Sequence, residues 1–150
     1  MWLDALYAYL HYTAVFMLFA FLAVEIYLVR LRLDATTIRQ LARVDAWFGA
    51  SSGLVLATGL LRLFAGAKGS EFYLGNWVIY VKVGLFIAVG LLSIVPTIQF
   101  IRWRKALDRD PAFQAPEADR NRMRGYLMLE IHLAAMIPVF AVVMARGLGH

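Results

Sequence analysis

The stretch GNWVIYVKVGLFIAVGLL, residues 75–92, decides the fold. It is an apolar run interrupted by one lysine, Lys82, about a turn and a half inside it. A run of roughly 20 mostly apolar residues is long enough to cross a bilayer as a helix. Three other stretches share this character, so the chain is expected to cross the membrane four times, over 5–29, 46–66, 77–100 and 125–146. Composition agrees. Hydrophobic residues make up 62% of the 150 and charged residues only 17%, with a mean hydropathy of +0.68. A soluble domain of this size carries far more charge. The expected architecture is one all-α domain, an integral membrane four-helix bundle with up-down connections.

The first run is too long for the h-region of a signal peptide and has no basic segment before it, so it is expected to remain as a span. The chain has no cysteine. That excludes disulfides, thiolate metal sites and thioether-linked haem. The net charge is +5, and most of the 15 basic residues fall in two segments. Arg30, Arg32, Arg39 and Arg43 lie after the first span, and Arg102, Arg104, Lys105, Arg109, Arg120, Arg122 and Arg124 after the third. The positive-inside rule puts both segments in the cytoplasm and both termini outside, together with the loop AKGSEFYLGN. Topology thus accounts for the basic segments, and no nucleic-acid partner is expected.

Asp34 is placed to cap a helix that begins before the second span. Pro116 followed by Glu117 suits the first turn of another, ahead of the fourth span. Pro96 predicts a kink or an early end in the third span. Gly49 and Gly53 form a small-xxx-small pair, a device for close helix approach and a candidate homodimer face. Trp77, Trp103, Tyr7 and Tyr80 read as aromatic-belt residues.

Ionisable residues at membrane depth are rare and mark function by default. From the helical rise, His11 lies about 9 Å below the outer end of its span, Lys82 about 8 Å and Arg62 about 6 Å. A second group, Glu25, Asp45, Glu130 and His132, lies toward the cytoplasm. His11 and Glu25 are 14 positions apart and share a face, as do Ser51, Thr58 and Arg62, and Lys82, Ser93 and Thr97. Glu130 and His132 are two apart, so only one of them can face the bundle axis. Simpler roles compete: Lys82 and Arg62 can snorkel, and Glu25 can neutralise Arg30 or Arg39. The chemistry of the outer group suits a haem b, with a histidine on the iron and Lys82 and Arg62 on the propionates.

The blocks YLHYTAVF, QLARVDAWFG, GLLRLFAGAKGSEFYLGN and KVGLFIAVGLLSIVPTIQFIRW resemble a family of bacterial four-helix membrane proteins of unknown function. YLHYTAV and WVIYVKVGL are also distantly similar to the HemJ-type protoporphyrinogen IX oxidases, small four-helix haem b proteins. That resemblance implies His11 as the haem ligand and Lys82 as a cation touching haem or substrate. The chain departs from the HemJ pattern in its fourth helix, where Arg124, Glu130 and Pro138 are more widely spaced and an Asn is missing, and it lacks a second histidine in its third span. The resulting expectation is a haem b protein of the bacterial inner membrane. It would be an oxidoreductase acting on a porphyrin-like or quinol-like substrate, with His11, Lys82, Arg62 and His132 at the cofactor and Lys82, Glu25 and Glu130 in the chemistry. The alternatives are a small ion-coupled transporter, with Glu25, Lys82 and Glu130 along its path, and a non-catalytic membrane scaffold.

Overall fold

A computed structural model describes residues 2–66 and 69–148. Ala67 and Lys68 of the outer loop, and Met1, Gly149 and His150 at the termini, lie outside the described residues. The elements are α1 (Trp2–Leu28), α2 (Ala35–Ala65), the short α3 (Gly69–Leu74), α4 (Trp77–Arg109) and α5 (Glu117–Ala145). Among the described residues there is no strand. Among the described residues four helices are long and apolar enough to cross a membrane. Their apolar side chains face outward in numbers that water would not tolerate. Phe16 is 74% exposed, Leu91 62% and Val139 60%. Lipid is the solvent that suits such a surface.

The helices run alternately up and down, as three contacts between them establish. His11, early in α1, meets Thr58, late in α2. Thr97 of α4 meets Asp45 of α2. The Asn76 side-chain amide at the start of α4 donates to the carbonyl of Leu148, just past α5, at 3.2 Å. Around the bundle α1 packs on α2, α2 on α4, α4 on α5, and α5 closes the ring on α1. One end therefore carries both termini, and the other carries the arginine-rich connections.

The helices run past the apolar stretches at the basic end. Hydropathy marks the part that crosses lipid, whereas the hydrogen-bond ladder continues until a cap stops it. Asp34 caps α2 by accepting the amide of Thr37 at 2.9 Å. Asn76 caps α4 in the same way, accepting from Val78 at 3.0 Å. Pro116 stands at the N-cap of α5, with Glu117 in the first turn and ion-paired to Arg120 at 3.2 Å. Pro96 does not end α4, which continues to Arg109. An interior proline costs about 3 kcal/mol, but the turns beyond it bury Phe100, Trp103 and Leu107. At roughly 1.5–3 kcal/mol per large apolar side chain, that burial offsets the loss.

The packed core sits toward the basic end. Leu22, Ile38, Leu41, Phe100, Leu107, Met123 and Leu127 are almost fully buried there. Trp103 belongs to this core, 2% exposed and tilted against Phe100 at 5.7 Å. It is not the belt residue its position suggested, because its turn of α4 points inward. Gly49 and Gly53 pack against no helix of the bundle, since a Cβ on either would meet nothing within 4 Å.

The Thr37 backbone amide holds the Asp34 carboxyl below its usual range, with the Thr37 hydroxyl adding to the effect. An exposed carboxyl shifted in this direction stabilises the fold above its ordinary value of about 3.9 and loses that contribution as acid protonates it. Asp34→Ala should therefore lower the thermal midpoint near neutral pH, Asp34→Ser should keep most of it, and the difference between Asp34 and Ala should vanish in acid. Calorimetry in detergent across pH checks this.

Candidate functional site

The interior polar residues gather at two levels. The first lies nearer the terminal end. His11 Nδ1 stands 3.0 Å from the Thr58 hydroxyl. That hydroxyl gives its only hydrogen to the carbonyl of Leu54 at 2.6 Å. Toward His11 it can then only accept, so a neutral His11 carries its proton on Nδ1 and keeps the Nε2 lone pair open. The ring rests on Gly59, where a Cβ would come within 3.4 Å of Cε1. Arg62 and Lys82 both act electrostatically on His11, and Arg62 on Lys82. The Arg62 guanidinium stands over the ring of Tyr12, 5.2 Å from its centroid, a cation–π contact that directs it. α1, α2 and α4 thus bring an imidazole, a guanidinium and an ammonium together, all half-buried. Ala14, Val78 and Met144 are the apolar side chains buried toward this end of the bundle.

The second level lies four turns along α1, about 21 Å away by the helical rise. Glu25 of α1, Asp45 of α2 and Glu130 of α5 come within electrostatic range of one another. Their exposures are 1%, 7% and 0%. α4 contributes Thr97, whose hydroxyl donates to Asp45 Oδ1 at 2.8 Å. Glu25 Oε1 and both oxygens of Glu130 are buried with no hydrogen-bond partner. Neither Glu25 nor Glu130 has an ion pair; Glu117 pairs with Arg120 at 3.2 Å. Glu25 is therefore not neutralised by Arg30, which instead reaches the Met128 sulfur at 3.8 Å. An ionisable group held at membrane depth without a partner is costly, by about 2.5–3.5 kcal/mol for an aspartate even on the mild insertion scales. A buried carboxyl oxygen that faces no donor is satisfied by a proton of its own or by a cation brought to it.

His132 joins neither level. It is exposed, and its Nδ1–H donates to the Met128 carbonyl of its own helix. Of the pair two residues apart, the structure turns Glu130 inward and His132 outward. Lys82, Arg62 and His11 are brought together, as are Glu25 and Glu130. The Asp45–Thr97 pairing and the Tyr12 seat for Arg62 were not evident from the sequence, which carries no signal for the rotation of one helix against another. Among the described residues no group of three or more histidine, aspartate or glutamate side chains is arranged to hold a metal ion.

Comparison with known families decides the relationship. The profile of a family described as predicted membrane protein, DUF2214, matches residues 3–149. The chain belongs to this family. No curated protein and no solved structure is significantly similar to it. None of these comparisons supports a likeness to the HemJ-type oxidases. The membership fixes a DUF2214 chain as a membrane protein and leaves its chemistry to be argued from the two polar levels.

Two outcomes test this geometry. Thr58→Val removes the acceptor of His11 Nδ1–H and should cost about 1 kcal/mol, typical of an interhelical hydrogen bond in a membrane. Nitrogen NMR of the imidazole should show the Nδ1–H form in the native chain and lose that preference in the variant. Glu130→Met should leave stability unchanged or raise it, because an unpartnered buried carboxyl contributes nothing to the fold. A midpoint lowered as far as by a core truncation would mean that Glu130 has a structural partner.

Proposed function

We propose that the protein is a proton-coupled membrane carrier for a small anion. The observation that supports it is the set of three buried carboxyls, from three helices, with three oxygens left without donor or cation. Structural polar groups in a membrane interior are normally satisfied by their neighbours. These are not, and they lack a metal-holding arrangement, so the cargo that suits them is the proton. Glu25 and Glu130 would take up and release it, and Asp45 would be held in place by Thr97. The level nearer the termini has the opposite polarity. Lys82 and Arg62 would hold the anion by charge-assisted hydrogen bonds, and His11 Nε2 would accept a proton from it or from water. Binding at one level would alter the cost of charge at the other through the intervening low-dielectric core. By the positive-inside rule the arginine-rich end would face the cytoplasm of a bacterial inner membrane and the termini would lie outside.

A second reading is a haem b oxidoreductase. The open Nε2 of His11, level with Lys82 and Arg62, favours it. The donor set fits that group's chemistry, with His11 holding the iron and the two cations the propionates. The haem, when bound, would supply electron transfer with a quinol-like or porphyrin-like partner.

Dicyclohexylcarbodiimide reacts with protonated carboxyls in apolar surroundings. It should label Glu25 or Glu130 in the purified protein, and labelling should fade in Glu25→Gln and Glu130→Gln respectively. Proteoliposomes loaded with a pH-sensitive dye should show an anion-driven proton flux that falls at least tenfold in Glu130→Gln and in Lys82→Met. If neither labelling nor flux is seen, the carrier reading fails. A Soret band in the purified protein, lost in His11→Ala, would put the haem reading ahead. A protein still colourless after haem is offered would remove it.

A further inference from the structure

The seam between α2 and α4 forms a second feature, which shares only Thr97 with the two interior levels. At the basic end it opens as a cleft of about 480 Å³ lined by Arg39, Ala42, Arg43 and Ala46 of α2 and by Arg104 and Asp108 of α4. The three arginines are exposed, and among the described residues none of them has an ion pair or a hydrogen bond to the protein. Two small alanines form the floor, and Asp108 offsets only one of three positive charges. Unpaired guanidiniums that converge on one cavity suit a phosphate, which they hold in a forked geometry.

The same seam continues toward the bilayer centre. Positions 39, 42, 46, 49, 53 and 56 recur every three or four residues on α2 and so form one stripe, and 86, 90, 93, 97, 104 and 108, spaced by three, four or seven, share one face of α4. Beyond the arginines the stripe becomes a groove of about 220 Å³ bordered by Gly49, Gly53, Leu56, Phe86, Gly90 and Ser93. At all three of these glycines a Cβ would meet nothing within 4 Å. From Ala42 to Leu56 the stripe rises about 21 Å. A cationic mouth at the membrane surface thus lies in line with a largely apolar groove along the same helices, toward the lipid region.

We propose that this seam binds one anionic phospholipid, its phosphate held by Arg39, Arg43 and Arg104 and one acyl chain lying along the glycine groove. The net positive charge of the mouth selects an anionic over a zwitterionic headgroup. The glycines leave the depth an acyl chain needs, and Asp108 is placed to accept a headgroup hydroxyl. A soluble phosphate would use the mouth alone and leave the groove unexplained. A second copy of the chain would bring its own arginines toward these, which charge opposes.

The full chain is purified in neutral detergent and titrated with phosphatidylglycerol, phosphatidylcholine or inorganic phosphate, with bound lipid counted by native mass spectrometry. One phosphatidylglycerol should bind at least tenfold more tightly than phosphatidylcholine. Combined Arg39→Gln, Arg43→Gln and Arg104→Gln should abolish that preference. Gly53→Leu, which fills the groove but keeps the mouth, should weaken phosphatidylglycerol at least tenfold. Combined Arg32→Gln, Arg109→Gln and Arg122→Gln, at the same end but off the seam, should change neither. Equal losses in the two triple variants would reduce the effect to general surface charge and overturn the site. Inorganic phosphate that displaces the lipid completely, with Gly53→Leu silent, would overturn the acyl-chain assignment. A change from dimer to monomer in Gly53→Leu without loss of lipid would give the groove to a second copy and overturn the proposal. Circular dichroism confirms that each variant is folded, so unchanged binding in the seam variants counts against the site.

Discussion

In a solvent that offers no hydrogen bonds, every polar group must find its partner inside the protein. The rest of this structure depends on that constraint. It forces the backbone into four helices that satisfy themselves, and it makes any interior polar side chain without a partner expensive. The chain nevertheless turns an imidazole, two cations and three carboxyls toward the interior of its spans, while His132 faces outward. They are sorted rather than scattered. Cations and imidazole gather at one level, carboxyls at another, with Leu18, Leu22 and Phe48 buried between them.

The two levels are anchored differently. The imidazole is fixed by a relay from His11 through the Thr58 hydroxyl to the Leu54 carbonyl, and Arg62 is seated on Tyr12. These contacts orient side chains and leave Nε2 open. At the other level Thr97 satisfies Asp45, while Glu25 and Glu130 remain short of partners within the best-packed part of the bundle. An apolar cluster that includes Leu22, Ile26 and Leu127 surrounds these carboxyls.

The exterior follows the same logic with lipid in place of protein. Most apolar side chains of the spans face outward, and the glycines of α2 face outward as well. Lipid is as apolar as leucine, so an outward stripe carries no hydrophobic penalty, and its shape rather than its hydropathy decides what lies against it. The arginines at the mouth of the α2–α4 seam make that shape chemically selective.

By itself the sequence determined the four long helices and the starts of two of them, but neither the short α3 nor the Asn76 cap of α4. The apolar runs, Asp34 ahead of α2 and Pro116 ahead of α5 all act through neighbours a few residues away, and such local effects survive translation into structure. It also placed His11 and Glu25 on one face and allowed only one of Glu130 and His132 to point inward, because helical periodicity is local too. Only the tertiary structure decided which one: Glu130 went in and His132 out. It also decided that Trp103 joins the core, that Asp45 meets Thr97, and that Gly49 and Gly53 look toward lipid. Those outcomes depend on how each helix is rotated against its neighbours. With apolar residues on nearly every face, the pattern along a membrane helix leaves that rotation open, and packing between helices fixes it.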